Sequence, residues 1–275
     1  MRRNQPLLGT YVEIWIEELN EKNVQQNFFY QEICNVVFHE IKKVQDLMSI
    51  HDVGSEISKL NRLSHTDKKL ELRIHPWTYE VLLIAKKICE ETDGLFDCGI
   101  GQYAKHKNSQ KYYELGIRSI DFLDVNHIMI KGPIRFDLGG IAKGYAIDRG
   151  IEILKNFGIE NASINAGGDM RVVGKNDHAI YLKESDFGNA YIYLGDLNDG
   201  AIATSSTRFG RTTKKGGMSY LINPRTRKCI EDDLSYSIIA PTCVVADCLT
   251  KALAIEKNLH ASYFKKFGAI PIIVE

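Results

Sequence analysis

The chain has 275 residues, of which 44% are hydrophobic and 25% are charged, and its 35 basic and 35 acidic residues give a formal net charge of zero. This composition excludes collagen, coiled coil and intrinsic disorder as descriptions of the whole chain. A net charge of zero gives no general attraction to nucleic acid or to an anionic membrane, so neither is expected as a partner. No linker, repeat or low-complexity tract divides the sequence, and we therefore expect a single domain over residues 1–275.

The N-terminal segment MRRNQPLLGTYVEIWIEE contains basic residues but not the apolar stretch of about 7–15 residues that a secretory signal needs. No segment reaches the ~20 apolar residues of a membrane span, so insertion into a membrane is not expected. The six cysteines form no Cys-x-x-Cys pair and no zinc-ligand spacing with histidine, which predicts reduced thiols. These features favour a cytoplasmic protein.

The first half of the chain is predicted to be mainly helical. Apolar residues that alternate with polar ones indicate a strand with one wet face, and apolar residues at steps of three and four indicate amphipathic helices. Residues 105–121 are expected at the surface. The predicted elements are a strand in TYVEIWIEE, a long helix from Phe29 to Met48, a short helix in SEISKLNRLS and a helix from Trp77 to Ile88.

The second half alternates predicted strands and tight turns. Helices are predicted at about 140–156 and 241–257, and Pro271 predicts an edge position for the last strand. Long helices packed on a largely antiparallel sheet would make an α+β fold. The predicted strands are IRFDL, NASINA, MRVVG, HAIYLK, NAYIYLG, AIATS, MSYLIN and GAIPIIVE.

The stretch RFDLGGIAKGYAID places an acid, two glycines and a lysine where a predicted strand meets a predicted helix. The backbone N–H groups of Gly139 and Gly140 would point outward at the positive end of the helix dipole. Lys143 adds a cation in the first helical turn, and Asp137 can accept a hydrogen bond or face a metal. The combination suits a phosphate with its sugar or metal. A tight packing turn with an exposed lysine explains the same residues, and this stretch alone does not choose between the two.

Other phosphate-binding motifs are weak or absent. The Walker pattern Gly-x-x-x-x-Gly-Lys-Ser/Thr does not occur, and GIGQYA at 99–104 matches the dinucleotide fingerprint only loosely, without a clear strand before it or helix after it. Small polar residues also recur at the ends of predicted strands. They are found in GLFD (94–97), NAGGD (165–169), ATSS (203–206) and INPRT (222–226).

The segment VADCLTKAL places Asp247 inside an apolar helix, with Thr250 and Lys251 three and four residues later on the same face. A buried helical acid needs a partner or a metal. An ion pair with Lys251 would satisfy Asp247 without a metal, and metal binding is the other explanation.

A set of ordered blocks along the chain resembles the FAD:protein FMN transferases, the ApbE family. The resemblance runs from about residue 7 to 257 and is most specific at 137–148 and 165–169. It implies an α+β, T-fold-related architecture of mixed sheets and packed helices, with two lobes around a nucleotide cleft. It also implies an enzyme that cleaves FAD with Mg²⁺, attaches FMN to a Ser or Thr hydroxyl of an acceptor protein and releases AMP. The blocks are LLGT, SEISKLN, GLFD, DLGGIAKGYAID, NAGGD, ATSS, INPRT and APTCVVADCLTKAL.

The resemblance further implies site residues, each at a position that matches a family motif. The metal would be bound by the carbonyl oxygen of Gly140, by Asp247 and by Thr250. The catalytic positions would be Asp247, Lys143 and Tyr220. The FAD-contacting positions would be Leu8, His51, Leu95, Phe96, Asp97, Asp137, Gly139, Gly140, Lys143, Gly167, Gly168 and Leu221.

The sequence departs from the family pattern at several of these blocks. Lys251 stands where the family has a hydroxyl ligand four residues after the aspartate, so an ammonium is expected near the metal position and would weaken or abolish Mg²⁺ binding. Tyr220 stands where the family has a histidine, which removes a candidate proton acceptor. Arg227 replaces a glycine, and Ser206 replaces another.

Three functions therefore remain open at this point. The chain is an Mg²⁺-dependent FMN transferase, an FAD-binding protein with a degraded metal site and little or no transferase activity, or an FAD hydrolase that forms FMN and AMP. It lacks the acceptor pattern Asp-x-x-Ser/Thr-Gly-Ala-Thr/Ser, so the resemblance implies a separate acceptor protein that the sequence does not identify.

Overall fold

The computed structural model describes residues 1–17, 24–64, 68–100, 116–183, 190–207 and 221–274. The helices are α1 (Val24–Met48), α2 (Glu56–Leu63), α3 (Pro76–Glu91), α4 (Ala142–Asn156), α5 (Cys243–Glu256) and α6 (Ser262–Lys266). The strands are β1 (Arg2–Leu7), β2 (Thr10–Ile16), β3 (Leu70–Arg73), β4 (Ile120–Asp124), β5 (His127–Ile130), β6 (Ala162–Ala166), β7 (Asp169–Val173), β8 (His178–Lys183), β9 (Tyr191–Leu197), β10 (Gly200–Ser206), β11 (Ser235–Ala240) and β12 (Ile270–Val274).

Seven strands form the main sheet in the order β1-β2-β6-β7-β10-β11-β12, and each neighbouring pair is antiparallel. The predicted alternation in β2 is confirmed, because Val12, Ile14 and Ile16 are all fully buried. Pro271 lies in β12, the last strand of the sheet. Proline has no N–H donor, and on the outer side of an edge strand no interstrand hydrogen bond is lost by this. The predicted edge position of this strand is also confirmed.

Three helices pack on one another and on this sheet. Helix α1 contacts α4, α4 contacts α5, and α5 lies on β10 and β11. The apolar steps of three and four in α1 bury its inward face, as the sequence predicts. Together these layers confirm an α+β fold. The buried residues of α1 are Tyr30, Ile33, Cys34, Val37, Phe38, Ile41, Val44 and Met48.

Two smaller sheets complete the described structure: β3-β5-β4, and the two-stranded ribbon β8-β9. The expectation that residues 105–121 lie at the surface is wrong at its C-terminal end. A short 3₁₀-helix at Gly116–Ser119 contacts α3, and Ile117 and Ile120 are fully buried. Their apolar side chains belong to the main hydrophobic core. Residues 105–115 lie outside the described residues.

The segment IRFDL is not a strand, contrary to the prediction. Only Arg135 makes a bridge, with Ile100. The neighbouring backbone is held by a side chain instead: the Asn61 amide donates to the Phe136 carbonyl oxygen at 2.9 Å and accepts from the Phe136 N–H at 2.7 Å. Of MSYLIN, residues 218–220 lie outside the described residues, and Ile222 makes an isolated bridge to Cys229.

The cysteines agree with the prediction of reduced thiols. All six cysteines are free, and five of them are buried. Within the described ranges, none of the helices combines the length and the apolar character that crossing a membrane requires.

Candidate functional site

A cavity of about 330 Å³ lies between the segment before α4, the loop after α3 and Lys251 on α5. Its wall combines a glycine turn, apolar side chains and one lysine. Seven of the residues predicted to contact FAD are brought together here: Leu95, Phe96, Asp97, Asp137, Gly139, Gly140 and Leu221. The same wall also contains Cys98, Ile100, Ile222, Pro224 and Lys251.

The loop between α3 and the glycine turn is held in place by Asp97. Its Oδ1 atom accepts from the N–H groups of Gly99 at 2.7 Å and Ile117 at 2.9 Å. Burial raises the pKa of this carboxyl above its ordinary value, although the two backbone donors oppose the rise. Phe96 next to it is 4% exposed, so its ring forms a fixed apolar wall. Asp97 therefore shapes the cavity through its backbone partners.

The glycine turn enters α4 directly. The N–H groups of Ile141 and Ala142 donate to the Leu138 carbonyl oxygen at 3.0 and 2.8 Å, and Asp137 Oδ1 accepts from the Gly139 N–H at 2.9 Å. A Cβ atom on Gly140 would lie 3.1 Å from Lys251 Cε. Glycine at this position therefore leaves room for the lysine side chain beside the turn.

Asp247 lies on α5 and is fully buried. Its Oδ1 atom forms an ion pair with Lys251, whose ammonium also donates to the Asp247 carbonyl oxygen at 2.8 Å. Its Oδ2 atom accepts from the Gly144 N–H at 3.2 Å. Burial raises the pKa of Asp247, but the ammonium groups of Lys251 and Lys143 more than offset it and hold this pKa below the ordinary value. The ion pair that the spacing predicts is confirmed.

A second ion pair joins Lys143 in the first turn of α4 to Asp169 at the start of β7. Asp169 Oδ1 also accepts from the Thr204 N–H at 3.3 Å. Burial raises the pKa of Asp169, as does the charge of Asp247. Burial lowers the pKa of Lys143, but Asp247 and Asp169 more than offset it, so this lysine stays charged well into the alkaline range. Asp169 is a site residue that the sequence-based set omits.

Asp148 on α4 positions α5, and sequence reasoning missed it as well. Its carboxylate accepts from the N–H groups of Cys243 at 2.9 Å and Val244 at 2.8 Å, and from Arg171 at 2.9 Å. It therefore caps the N-terminus of α5, where the nominal cap residue Thr242 makes no side-chain bond. The only signal in the sequence is an acid at the end of the block DLGGIAKGYAID.

The sequence pattern of the ApbE family matches residues 8–266. The chain belongs to the ApbE family. The FAD:protein FMN transferase of Buchnera aphidicola subsp. Schizaphis graminum (strain Sg) is 27% identical over 249 residues, covering 81% of this chain and 72% of that protein. The FAD:protein FMN transferase of Klebsiella pneumoniae (strain 342) is 25% identical over 254 residues, covering 83% and 78%.

The fold agrees with a solved member of the family. The crystal structure of the ApbE protein from Thermotoga maritima matches with a TM-score of 0.79 at 27% sequence identity, over 100% of this chain and 94% of that chain. The expected ApbE-like α+β architecture is thereby confirmed.

Several residues inferred from the ApbE resemblance lie away from the 330 Å³ cavity wall. Gly167 and Gly168 line a second cavity of about 470 Å³, beside the β8–β9 ribbon. The N–H of Leu8 donates to Gln45 Oε1 at 2.6 Å, and His51 is exposed. Neither lines the described wall of the 330 Å³ cavity. Tyr220 lies outside the described residues.

The Mg²⁺ ion implied by the ApbE family does not fit the side chains around Asp247 in this arrangement. Both carboxylate oxygens are already engaged, and Thr250 Oγ1 donates to the Asp247 carbonyl oxygen at 2.7 Å and bonds Ser205 Oγ at 2.8 Å. Mg²⁺ needs near-octahedral oxygen ligation, and an ammonium supplies no oxygen. Within the described ranges, no group of three or more His, Cys, Asp or Glu side chains is placed to hold a metal ion.

Proposed function

We propose that this chain transfers FMN from FAD to a Ser or Thr hydroxyl of an acceptor protein and releases AMP. Membership of the ApbE family and the names of its relatives support this proposal. The observation that carries it is the 330 Å³ cavity, where a glycine turn, the Phe96 wall and the Lys251 cation meet. An aromatic, largely apolar wall beside a cation suits a flavin nucleotide, which joins a planar ring to a pyrophosphate.

The proposed reaction replaces a phosphoanhydride bond of FAD with a phosphoester bond to the acceptor. The acceptor hydroxyl oxygen attacks the phosphorus of the FMN half of FAD and forms a new P–O bond. The bond from that phosphorus to the bridging oxygen breaks, AMP departs with this oxygen, and the hydroxyl proton is released to solvent. Such a transfer depends on alignment of the two oxygens and on positive charge near the phosphate.

The residues of the cavity have distinct roles in this proposal. Phe96 and Leu221 contact the flavin nucleotide through apolar surface, and the turn at Gly139 and Gly140 lets its phosphates approach the backbone. Lys251 supplies positive charge at the wall, and Asp247 holds that ammonium in position. Because the pKa of Asp247 is lowered, it is a poor proton acceptor and is assigned a positioning role.

The test incubates the protein with FAD and a peptide that carries the pattern Asp-x-x-Ser/Thr-Gly-Ala-Thr/Ser, with and without Mg²⁺, followed by mass spectrometry. A peptide adduct of FMN mass, with an equal amount of AMP, is the expected result. Free FMN and AMP without an adduct would identify a hydrolase. Bound, intact FAD without either product would identify a binding protein and overturn the proposal. The variant Gly132→Ala, with open space around the added methyl group, serves as a control for the effect of a substitution outside the cavity and should give the same products as the wild-type protein.

A further inference from the structure

Four charged groups form one cluster at the junction of α4, α5 and β7. The carboxylates of Asp169 and Asp247 are 1% and 0% exposed and are paired with Lys143 and Lys251 respectively. Two carboxylates and two ammonium groups have a formal sum of zero. A divalent cation gains binding energy from uncompensated negative charge, and this cluster offers none.

Lys251 is the member of the cluster that also lines the 330 Å³ cavity. Its side chain is 20% exposed, whereas its partner Asp247 is fully buried. The ammonium has three N–H donors, and two of them serve Asp247 through the carboxylate and the carbonyl oxygen. Among the described contacts, one donor remains for a ligand in the cavity beside Gly140.

We propose that the Lys251 ammonium binds the pyrophosphate of FAD directly, in place of a divalent cation, and that nucleotide binding by this chain is independent of metal. The proposal rests on the proposed function, because it assumes that this cavity receives FAD. A lysine acts on phosphate as a point charge, and Asp247 holds that charge at the wall without neutralising its remaining donor. The glycine at position 140 keeps the path between the lysine and the ligand open.

The experiment is calorimetric titration of the full chain with FAD and with riboflavin, each in EDTA and in Mg²⁺. We expect wild-type protein to bind FAD equally well in both buffers. Lys251→Thr should weaken FAD binding in EDTA by about tenfold or more, since a charge-assisted contact is lost, and leave riboflavin binding unchanged. Mg²⁺ should then restore FAD binding to this variant, because the Asp247 carboxylate is released.

Two further variants keep the test decisive. Lys42→Thr makes the same change in an exposed i,i+4 pair with Asp46 and should leave the affinities for FAD and riboflavin unchanged. The double variant Asp247→Asn/Lys251→Gln removes both charges together, so it avoids a buried unpaired carboxylate. It should lose FAD affinity in both buffers while keeping its affinity for riboflavin.

The outcomes separate this proposal from the proposed function. An increase of tenfold or more in wild-type FAD affinity on adding Mg²⁺ would overturn metal independence while leaving FAD as the ligand. Unchanged FAD binding by both Lys251 variants in EDTA would overturn the lysine contact. Absence of FAD binding by the wild-type protein in either buffer would overturn the proposed function and this proposal together.

Discussion

Position 140 shows how one missing side chain determines the chemistry of the cavity wall. A methyl group there would lie 3.1 Å from Lys251 Cε and 3.5 Å from the Phe96 ring. The separation from the ring is ordinary van der Waals contact, whereas the separation from Lys251 Cε is tight enough that the lysine must shift by a few tenths of an ångström. The position of the ammonium in the cavity wall would therefore change.

We predict that Gly140→Ala weakens FAD binding by about fivefold or more, equivalent to about 1 kcal/mol, because the added methyl group displaces Lys251 and narrows the cavity. Fluorescence titration of the flavin measures this. Gly132→Ala, where nothing lies within 4 Å of the added methyl, should bind FAD as the wild-type protein does. Equal affinity of the two variants would contradict the prediction.

Residue pairs differ in how far the sequence predicts them. The Asp247–Lys251 pair follows from helical spacing alone, because residues four apart are neighbours. The Lys143–Asp169 pair joins a helix to a strand 26 residues later, and no local rule specifies that contact. The same holds for Asp148, whose carboxylate caps a helix 95 residues further along the chain.

At the scale of elements, the junction of α4 and α5 positions the charged cluster. The two helices approach so closely at Gly144 that an added Cβ would lie 2.4 Å from the Cys243 carbonyl oxygen and 2.7 Å from Val244 Cα. These are backbone atoms and cannot rotate away. The Gly144 N–H also donates to Asp247, so the close approach connects the packing to the site.

We predict that Gly144→Ala lowers the free energy of unfolding by about 1–3 kcal/mol, because overpacking against α5 outweighs the roughly 1 kcal/mol that alanine gains over glycine in a helix. Urea unfolding measures it. Lys155→Ala, at an exposed position of the same helix, should change stability by less than about 0.5 kcal/mol. A higher free energy of unfolding for Gly144→Ala would contradict this prediction, because it would show that α4 and α5 can move apart without a loss of stability.

The cap of α5 allows a second prediction at this scale. Asp148→Ala should lower the free energy of unfolding by about 2–3 kcal/mol, since two helix N–H groups and Arg171 lose a charged acceptor. Asp46→Ala removes an exposed i,i+4 partner and should cost at most about 0.5 kcal/mol. Equal losses in the two variants, measured by urea unfolding, would refute the capping role.

At the scale of the whole molecule, the elements were easier to predict than their arrangement. Alternating and helical apolar patterns indicate which face of an element is buried, so the sequence predicts the long helices and seven of the twelve described strands. It does not predict β1, β3, β4, β5 or β11. The segment 134–138 is predicted as a strand because it is a short apolar run. In the structure, the backbone N–H and carbonyl of Phe136 bond the side-chain amide of Asn61 and not a neighbouring strand. Strand order and the second charged pair depend on contacts between distant segments, which a local pattern does not contain.

The buried thiols contribute to the loss of stability of the whole molecule at alkaline pH. Burial raises the pKa of Cys98, Cys243 and Cys248 above their ordinary value of 9.0. Above this pH the unfolded chain loses these protons while the folded chain retains them. Since the folded state then binds more protons, the free energy of unfolding falls as pH rises.

We predict a loss of up to about 1.4 kcal/mol per pH unit for each thiol between about pH 9 and pH 10. The variant Cys98→Ala/Cys243→Ala/Cys248→Ala should start less stable and show a smaller slope than the wild-type protein. Part of the slope should remain, because burial also raises the pKa of the Cys34 and Cys89 thiols. Cys229→Ala, at a half-exposed position, should keep the wild-type slope. Urea unfolding in reducing buffer at several pH values provides the data, and parallel slopes for all three proteins would exclude the thiols as the cause.

The pairing of β2 with β6 has a consequence for how the protein is made. Val12 pairs with Ala166 and Ile16 with Ala162. The edge of β2 that is not paired with β1 therefore stays unpaired until β6 has been synthesised. At about 5–20 residues per second, a ribosome needs on the order of ten seconds or more to supply that partner. During this interval the nascent β1–β2 hairpin exposes an apolar strand edge, the kind of template on which other chains add. Slow, late closure of the sheet and a need for protection during synthesis follow from the strand order.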